Sequence, residues 1–140
     1  MDTNKPVLIL DVDGVLLKWE SNLPFFALDH GIKIKGVLKN YSRATHISFN
    51  ELFGIKNTPI AQQLMTKYNT SAYGRHLSAF DDAIESVYKL KKKYKLVILT
   101  SFGDTIEHYT NRCKNLQAFY PDLFAEIICI SYDKPKSTML

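Results

Sequence analysis

Three short apolar runs stand out along the chain because they are continuous rather than alternating: Val7 to Val12, Lys95 to Thr100 and Glu126 to Ser131. Each is rich in β-branched residues and bounded by polar or turn residues, the pattern of strands buried on both faces and so of a parallel sheet. Between them the hydrophobic period lengthens. Phe80, Ile84, Val87 and Leu90 recur at helical spacing behind Ser78-Ala79-Phe80-Asp81, which has the spacing of a capping box. Lysines gather at the end of that segment, where a helix C-terminus favours positive charge. After the second run, Asp104 is placed to cap a helix with Ile106, Tyr109, Cys113, Leu116 and Tyr120 on one face, and Pro121 stops it before the third run. Strand, helix, strand, helix, strand predicts an α/β fold with a doubly wound parallel sheet.

Residues 18–77 break this rhythm, since a crossover needs only a dozen or more residues and this segment supplies several times as many. It reads as an insertion of helical character, with one helix around Leu23 to His30 and another from Pro59 to Tyr68, where Pro59 suits a first turn behind Thr58. The expected division is therefore a core of residues 1–17 and 78–140 interrupted by residues 18–77.

A chain of 140 residues, 46% hydrophobic, fills one core of ordinary size. The net charge of +4 suits an anionic partner without reaching the level of a dedicated nucleic-acid binder, and the basic run Lys89 to Lys95 is accounted for by its helix end. Nucleic acid is not an expected partner. Cys113 and Cys129 lack metal-ligand spacing and read as reduced core thiols, and His30, His46, His76 and His108 show no zinc spacing. The apolar run Val7-Leu8-Ile9-Leu10 is too short for a signal segment or a membrane span, so the expectation is a soluble, cytoplasmic protein. Oligomeric state is not legible in these residues.

The chemistry concentrates where the first run ends in Asp11-Val12-Asp13-Gly14-Val15. Residues two apart on a strand point to one side, and ligands of an open parallel sheet collect at the carboxyl ends of its strands. Two carboxylates held close repel each other unless a cation lies between them, and hard oxygens of this kind suit Mg²⁺. Such an ion also eases the approach of a carboxylate to a phosphate.

An apolar strand followed by Asp-Val-Asp-Gly-Val resembles the first motif of the haloacid dehalogenase-like superfamily, whose core is Rossmann-like. The resemblance implies that Asp11 is a nucleophile forming an aspartyl-phosphate. It implies that Asp13 protonates the leaving group and then activates water, its backbone carbonyl reaching the metal. Asp11 and Asp13 are thus the expected Mg²⁺ ligands. Asp13 also favours phosphoryl chemistry over dehalogenation.

Leu96-Val97-Ile98-Leu99-Thr100-Ser101 matches the second motif, with Thr100 bonding a phosphoryl oxygen and Ser101 and Phe102 offering backbone amides. Asp133-Lys134-Pro135-Lys136 resembles the third, in which a lysine offsets charge during transfer; Lys134 is the first choice and Lys136 the second. The fourth motif, an acidic pair after a further strand, has no counterpart before Leu140. The expectation is that these residues belong to a longer polypeptide; the alternatives are that Asp133 substitutes or that phosphate is bound without turnover.

Residues 18–77 are placed like the family's helical cap, which supplies substrate contacts. Trp19, Phe25, Phe26, Tyr41, Phe49, Phe53, Tyr68 and Tyr73 fill a small core or stack a base, with core filling favoured. Arg43, Arg75 and His76 are candidates for a second anionic group of the substrate, Arg75 first among them. The resulting expectation is a Mg²⁺-dependent phosphohydrolase acting on a small phosphomonoester, a nucleotide or sugar phosphate. The alternative is a catalytically silent phosphate-binding or regulatory module.

Overall fold

A computed structural model of the chain describes residues 4–40, 48–131 and 133–139. The elements begin with β1 (Val7–Leu10), β2 (Leu17–Lys18) and a 3-10 turn at Trp19–Asn22, then α1 (Leu23–Asp29), α2 (Ile34–Asn40) and α3 (Phe49–Phe53). They continue with α4 (Thr58–Thr70), α5 (Ala72–Arg75), β3 (Ser78–Ala79), α6 (Asp81–Lys91), β4 (Lys95–Thr100), α7 (Ile106–Phe119), β5 (Glu126–Cys129) and a 3-10 turn at Lys136–Met139.

The three long apolar runs pair as a parallel sheet in the order β1-β4-β5. Each connection between neighbouring strands includes a helix, as parallel pairing requires. The two-sided cover expected of all three strands is present at β4 alone, where Leu96 to Thr100 are buried. On β1, Leu8 and Leu10 pack against the core while Val7 and Ile9 on the other face stay 56% and 45% exposed. β1 bonds to β4 on one side only among the described residues, and an edge strand with one packed face cannot bury both of its side-chain rows.

β2 and β3 form a short antiparallel pair, Leu17 opposite Ala79 and Lys18 opposite Ser78, through which residues 18–77 leave and rejoin the sheet-bearing part. Helices α1 to α5 lie in that excursion. Trp19, Phe26, Tyr68 and Tyr73 pack edge-on, with Trp19 and Tyr68 centroids 5.0 Å apart and Phe26 and Tyr68 5.3 Å apart, so these rings fill a core. Tyr41, Arg43 and His46 lie outside the described residues.

Several local expectations shift. Ser78 is used in β3, so the capping box does not form; Phe80 stands at the N-cap of α6, and Asp81 and Asp82 supply first-turn negative charge. Thr105, not Asp104, caps α7 by accepting the His108 N–H, and Asn57 caps α4 by accepting that of Ile60. Helix α7 also turns a different face inward. His108, Asn111, Arg112, Asn115 and Leu116 are buried, whereas Ile106 and Tyr109 are 82% and 47% exposed. The inward face is held by polar bonds to α4, α5 and the acidic loop, which outweigh the exposure of two apolar side chains. Among the described residues no helix is long and apolar enough to cross a membrane.

Candidate active site at the carboxyl end of the sheet

The register places the site. Asp11 lies one residue past the Leu10–Ile98 pair and Thr100 two residues past it, so both emerge at the same end of neighbouring strands. After Asp11 the chain folds tightly: the N–H groups of Val15, Leu16 and Leu17 converge on the Val12 carbonyl, and Gly14 donates to Leu17 O at 2.9 Å. Gly14 takes a φ of 78°, a conformation that favours glycine, which is why the acidic pair is followed by this residue. Val12 is buried beneath the turn and leaves Asp11 and Asp13 above it.

Each acid has its own cation. Lys136 Nζ meets Asp11 Oδ1 at 2.9 Å, and the Val12 N–H donates to the same oxygen at 2.9 Å. The lysine on Asp11 is therefore Lys136, not the first-choice Lys134. Lys134 is exposed and closes a turn, its backbone N–H donating to Ser131 O at 3.0 Å, and that turn carries the Lys136 side chain to the acid. Asp133 accepts from Ser131 Oγ beside it.

Asp13 Oδ2 meets Arg112 Nη2 at 2.7 Å. Arg112 is fully buried on α7, and its guanidinium lies 3.8 Å from the centre of the Phe102 ring. Burial pushes the Asp13 carboxyl above its ordinary range, against the pull of Arg112. Thr100 Oγ1, Asp13 Oδ1, Arg112 Nε and Arg112 Nη1 are buried polar atoms without a hydrogen-bond partner among the described residues. Unsatisfied donors and acceptors gathered at one strand end are what a site for an oxygen-rich anion supplies.

Of the other expected substrate contacts, Ser101 is half-buried directly after Thr100. Phe102 is buried, with its ring against Arg112 and its carbonyl accepting from Asn69 Nδ2 at 2.9 Å. Arg75 is tied to α7, its Nε donating to Asn111 Oδ1 at 3.0 Å, and His76 is exposed. The sequence reading missed Arg112. Its signal was there, because His108, Asn111, Arg112 and Asn115 recur at helical spacing as a polar stripe.

Among the described residues no group of three or more His, Cys, Asp or Glu side chains is arranged to hold a metal. The acidic loop offers the half-exposed Asp11 carboxylate and, two residues on, the Asp13 backbone carbonyl as hard oxygen ligands. Mg²⁺ is commonly held by one or two carboxylates and completed by water and phosphate oxygens, so these residues fit part of its shell.

No protein-family model matches the chain. It is 36% identical over 135 residues to an uncharacterized 32.4 kDa protein encoded in the Gp30-rIII intergenic region of Enterobacteria phage T4, a match covering 96% of this chain and 48% of the relative. The chain thus spans about half the length of that curated relative. Among solved structures it is similar to YfnB of Bacillus subtilis, described as a HAD-hydrolase and crystallised bound to magnesium, with a TM-score of 0.50 and 14% identity over 89% of this chain and 65% of that one. The likeness is one of fold: a parallel three-stranded sheet with helices, compatible with an α/β Rossmann-like architecture.

Proposed function

We propose that the chain carries the nucleophile and acid–base residues of a cytoplasmic Mg²⁺-dependent phosphohydrolase acting on a small phosphomonoester, a nucleotide or sugar phosphate. The observation that carries this reading is the convergence of Asp11 with Lys136, Asp13 with Arg112, and a Thr100 hydroxyl without a partner among the described residues, at one end of the sheet. The magnesium-bound HAD-like structural neighbour adds weight to it.

In this reading Lys136 and the Val12 N–H hold Asp11 Oδ1, which leaves the second oxygen of the carboxylate to attack phosphorus. The new bond joins that oxygen to phosphorus as the ester P–O bond breaks, and the Asp13 carboxyl delivers a proton to the departing oxygen. Water then attacks the aspartyl-phosphate. Asp13 takes the proton from it, releasing phosphate and restoring Asp11. Thr100 donates to a phosphoryl oxygen through a hydroxyl that adds no charge to compete with the nucleophile. Mg²⁺, when bound, would be held by the Asp11 carboxylate and the Asp13 backbone carbonyl and would supply the charge screening that lets two anions meet. Residues 18–77 act as the substrate-selecting cap.

The test is phosphate release from an aryl phosphate. Activity is expected with Mg²⁺ and lost with chelator or in Asp11→Asn; a variant or chelated sample as active as the untreated protein excludes the mechanism. A second reading, phosphate binding without turnover, is favoured by one observation: both acids already have protein cations. Calorimetric binding of inorganic phosphate by a chain that turns over no ester in a phosphomonoester panel would select it.

A further inference from the structure

We propose that Arg112 is a positioning residue that fixes the Asp13 carboxylate so that one of its oxygens is presented to the leaving group; this deepens the phosphohydrolase reading and rests on it. The geometry divides the carboxylate in two. Oδ2 is taken by Arg112 at 2.7 Å, while Oδ1 is buried and has no partner among the described residues. A carboxylate free to rotate presents either oxygen in any direction; one clamped at Oδ2 has a single orientation for Oδ1.

The clamp is itself fixed. A guanidinium is planar and stacks on aromatic faces, and Arg112 lies against the Phe102 ring at 3.8 Å. Phe102 directly follows the Thr100-Ser101 strand end, and its carbonyl accepts from Asn69 Nδ2 at 2.9 Å. Asn69 Oδ1 in turn accepts from Trp19 Nε1 at 2.7 Å. The orientation of Asp13 is thus tied through Arg112, Phe102 and Asn69 to helix α4 and to Trp19, both within residues 18–77. A shift of that segment would be felt at the acid without any of its side chains touching substrate.

The step concerned is the transfer of the Asp13 proton to the departing ester oxygen as the P–O bond breaks and Asp11 bonds to phosphorus. Its importance scales with how poor the leaving group is, which separates positioning of the acid from general structural damage. Phenyl phosphate, the poorer leaving group, and para-nitrophenyl phosphate, the better, are the probes.

For Arg112→Met, kcat on phenyl phosphate is expected to fall by about 100-fold or more, and on para-nitrophenyl phosphate by less than about 10-fold, with KM nearly constant. Arg112→Lys should recover part of the loss on phenyl phosphate, and Asn69→Ala should show the same discrimination more weakly. Equal losses on both esters, or a rise in KM alone, overturn the proposal. Arginine side-chain NMR gives a readout independent of turnover. The Arg112 guanidinium should rotate slowly and carry a ring-current shift, the first released by Asp13→Ala and the second by Phe102→Leu. A chain that hydrolyses neither ester overturns the phosphohydrolase reading; a guanidinium signal unmoved by both substitutions overturns the clamp, whatever the activity.

Discussion

Replacing Asp13 with alanine is expected to destabilise the fold more than replacing Arg112 with methionine, although the first deletes a small side chain that is 28% exposed and the second a large one that is fully buried. Asp13→Ala leaves a buried guanidinium whose Nε and Nη1 lack hydrogen-bond partners among the described residues and whose countercharge is gone. An uncompensated buried charge of this kind costs about 3–5 kcal/mol. Arg112→Met leaves instead an acid that burial already disposes to take up a proton, so that the lost countercharge is met by neutralisation, while methionine fills the space of the arginine stem. The remaining losses, the ring contact and one charge-assisted bond, amount to about 1–2 kcal/mol. The double variant removes both charges and should be close to Arg112→Met alone, which corresponds to a coupling of about 3–5 kcal/mol in the cycle, the whole cost of Asp13→Ala. Urea unfolding at neutral pH reads this directly. With a slope of about 2 kcal/mol per molar, Asp13→Ala should lower the midpoint by about 1.5–2.5 M, and adding Arg112→Met should restore most of it. Single-variant losses that simply add, or an Asp13→Ala midpoint equal to that of the wild type, would refute the picture of a guanidinium dependent on this one acid.

Gly103→Ala should cost about 1–3 kcal/mol, read as a lower melting temperature, because Gly103 has a φ of 131° and a β-carbon there collides with the His108 ring. Tyr120→Phe removes an O–H bond to Leu16 O of 2.9 Å but leaves the Phe80 N–H on the same carbonyl, so a loss of about 1 kcal/mol is expected by urea unfolding. Burial holds His108 below its ordinary value of 6.5, so the unfolded chain takes up that proton first as pH falls. The stabilising contribution is present above pH 6.5 and is lost as the pH drops through the folded value, so wild type should lose stability relative to His108→Gln on acidification. Parallel acid dependence of the two urea midpoints would contradict this.

The strands were legible because each is a short, β-branched-rich apolar run bounded by polar or turn residues, a length and composition that favour strand over helix. Lys95 to Thr100 is read at its observed limits, and Val7 and Glu126 are the observed starts of their strands. The excess length of residues 18–77 was also visible, and the β2–β3 pair stands at its two ends. Helix caps were less so. A serine three residues before an acid looks like a capping box, yet Ser78 is also the natural partner of Lys18 across a two-stranded ribbon, and such a pairing has no local signature.

The inward face of α7 was misread for a reason that bears on the site itself. A periodicity argument assigns the apolar stripe to the interior because burial of apolar area is the usual driving force. That rule gives Ile106 and Tyr109 the buried positions. Here the interior opposite α7 is not apolar: it holds the Asp13 carboxylate and the backbone carbonyls of Asn69, Ser71 and Gly74, which accept from Arg112, Asn111 and Asn115. Buried acceptors left unpaired cost more than two exposed apolar side chains, so the polar stripe turns inward. A helix that sets its hydrophobic preference aside follows bonds made far away in sequence. In this chain the acid of the first strand end, paired with Arg112 of α7, is one of those bonds.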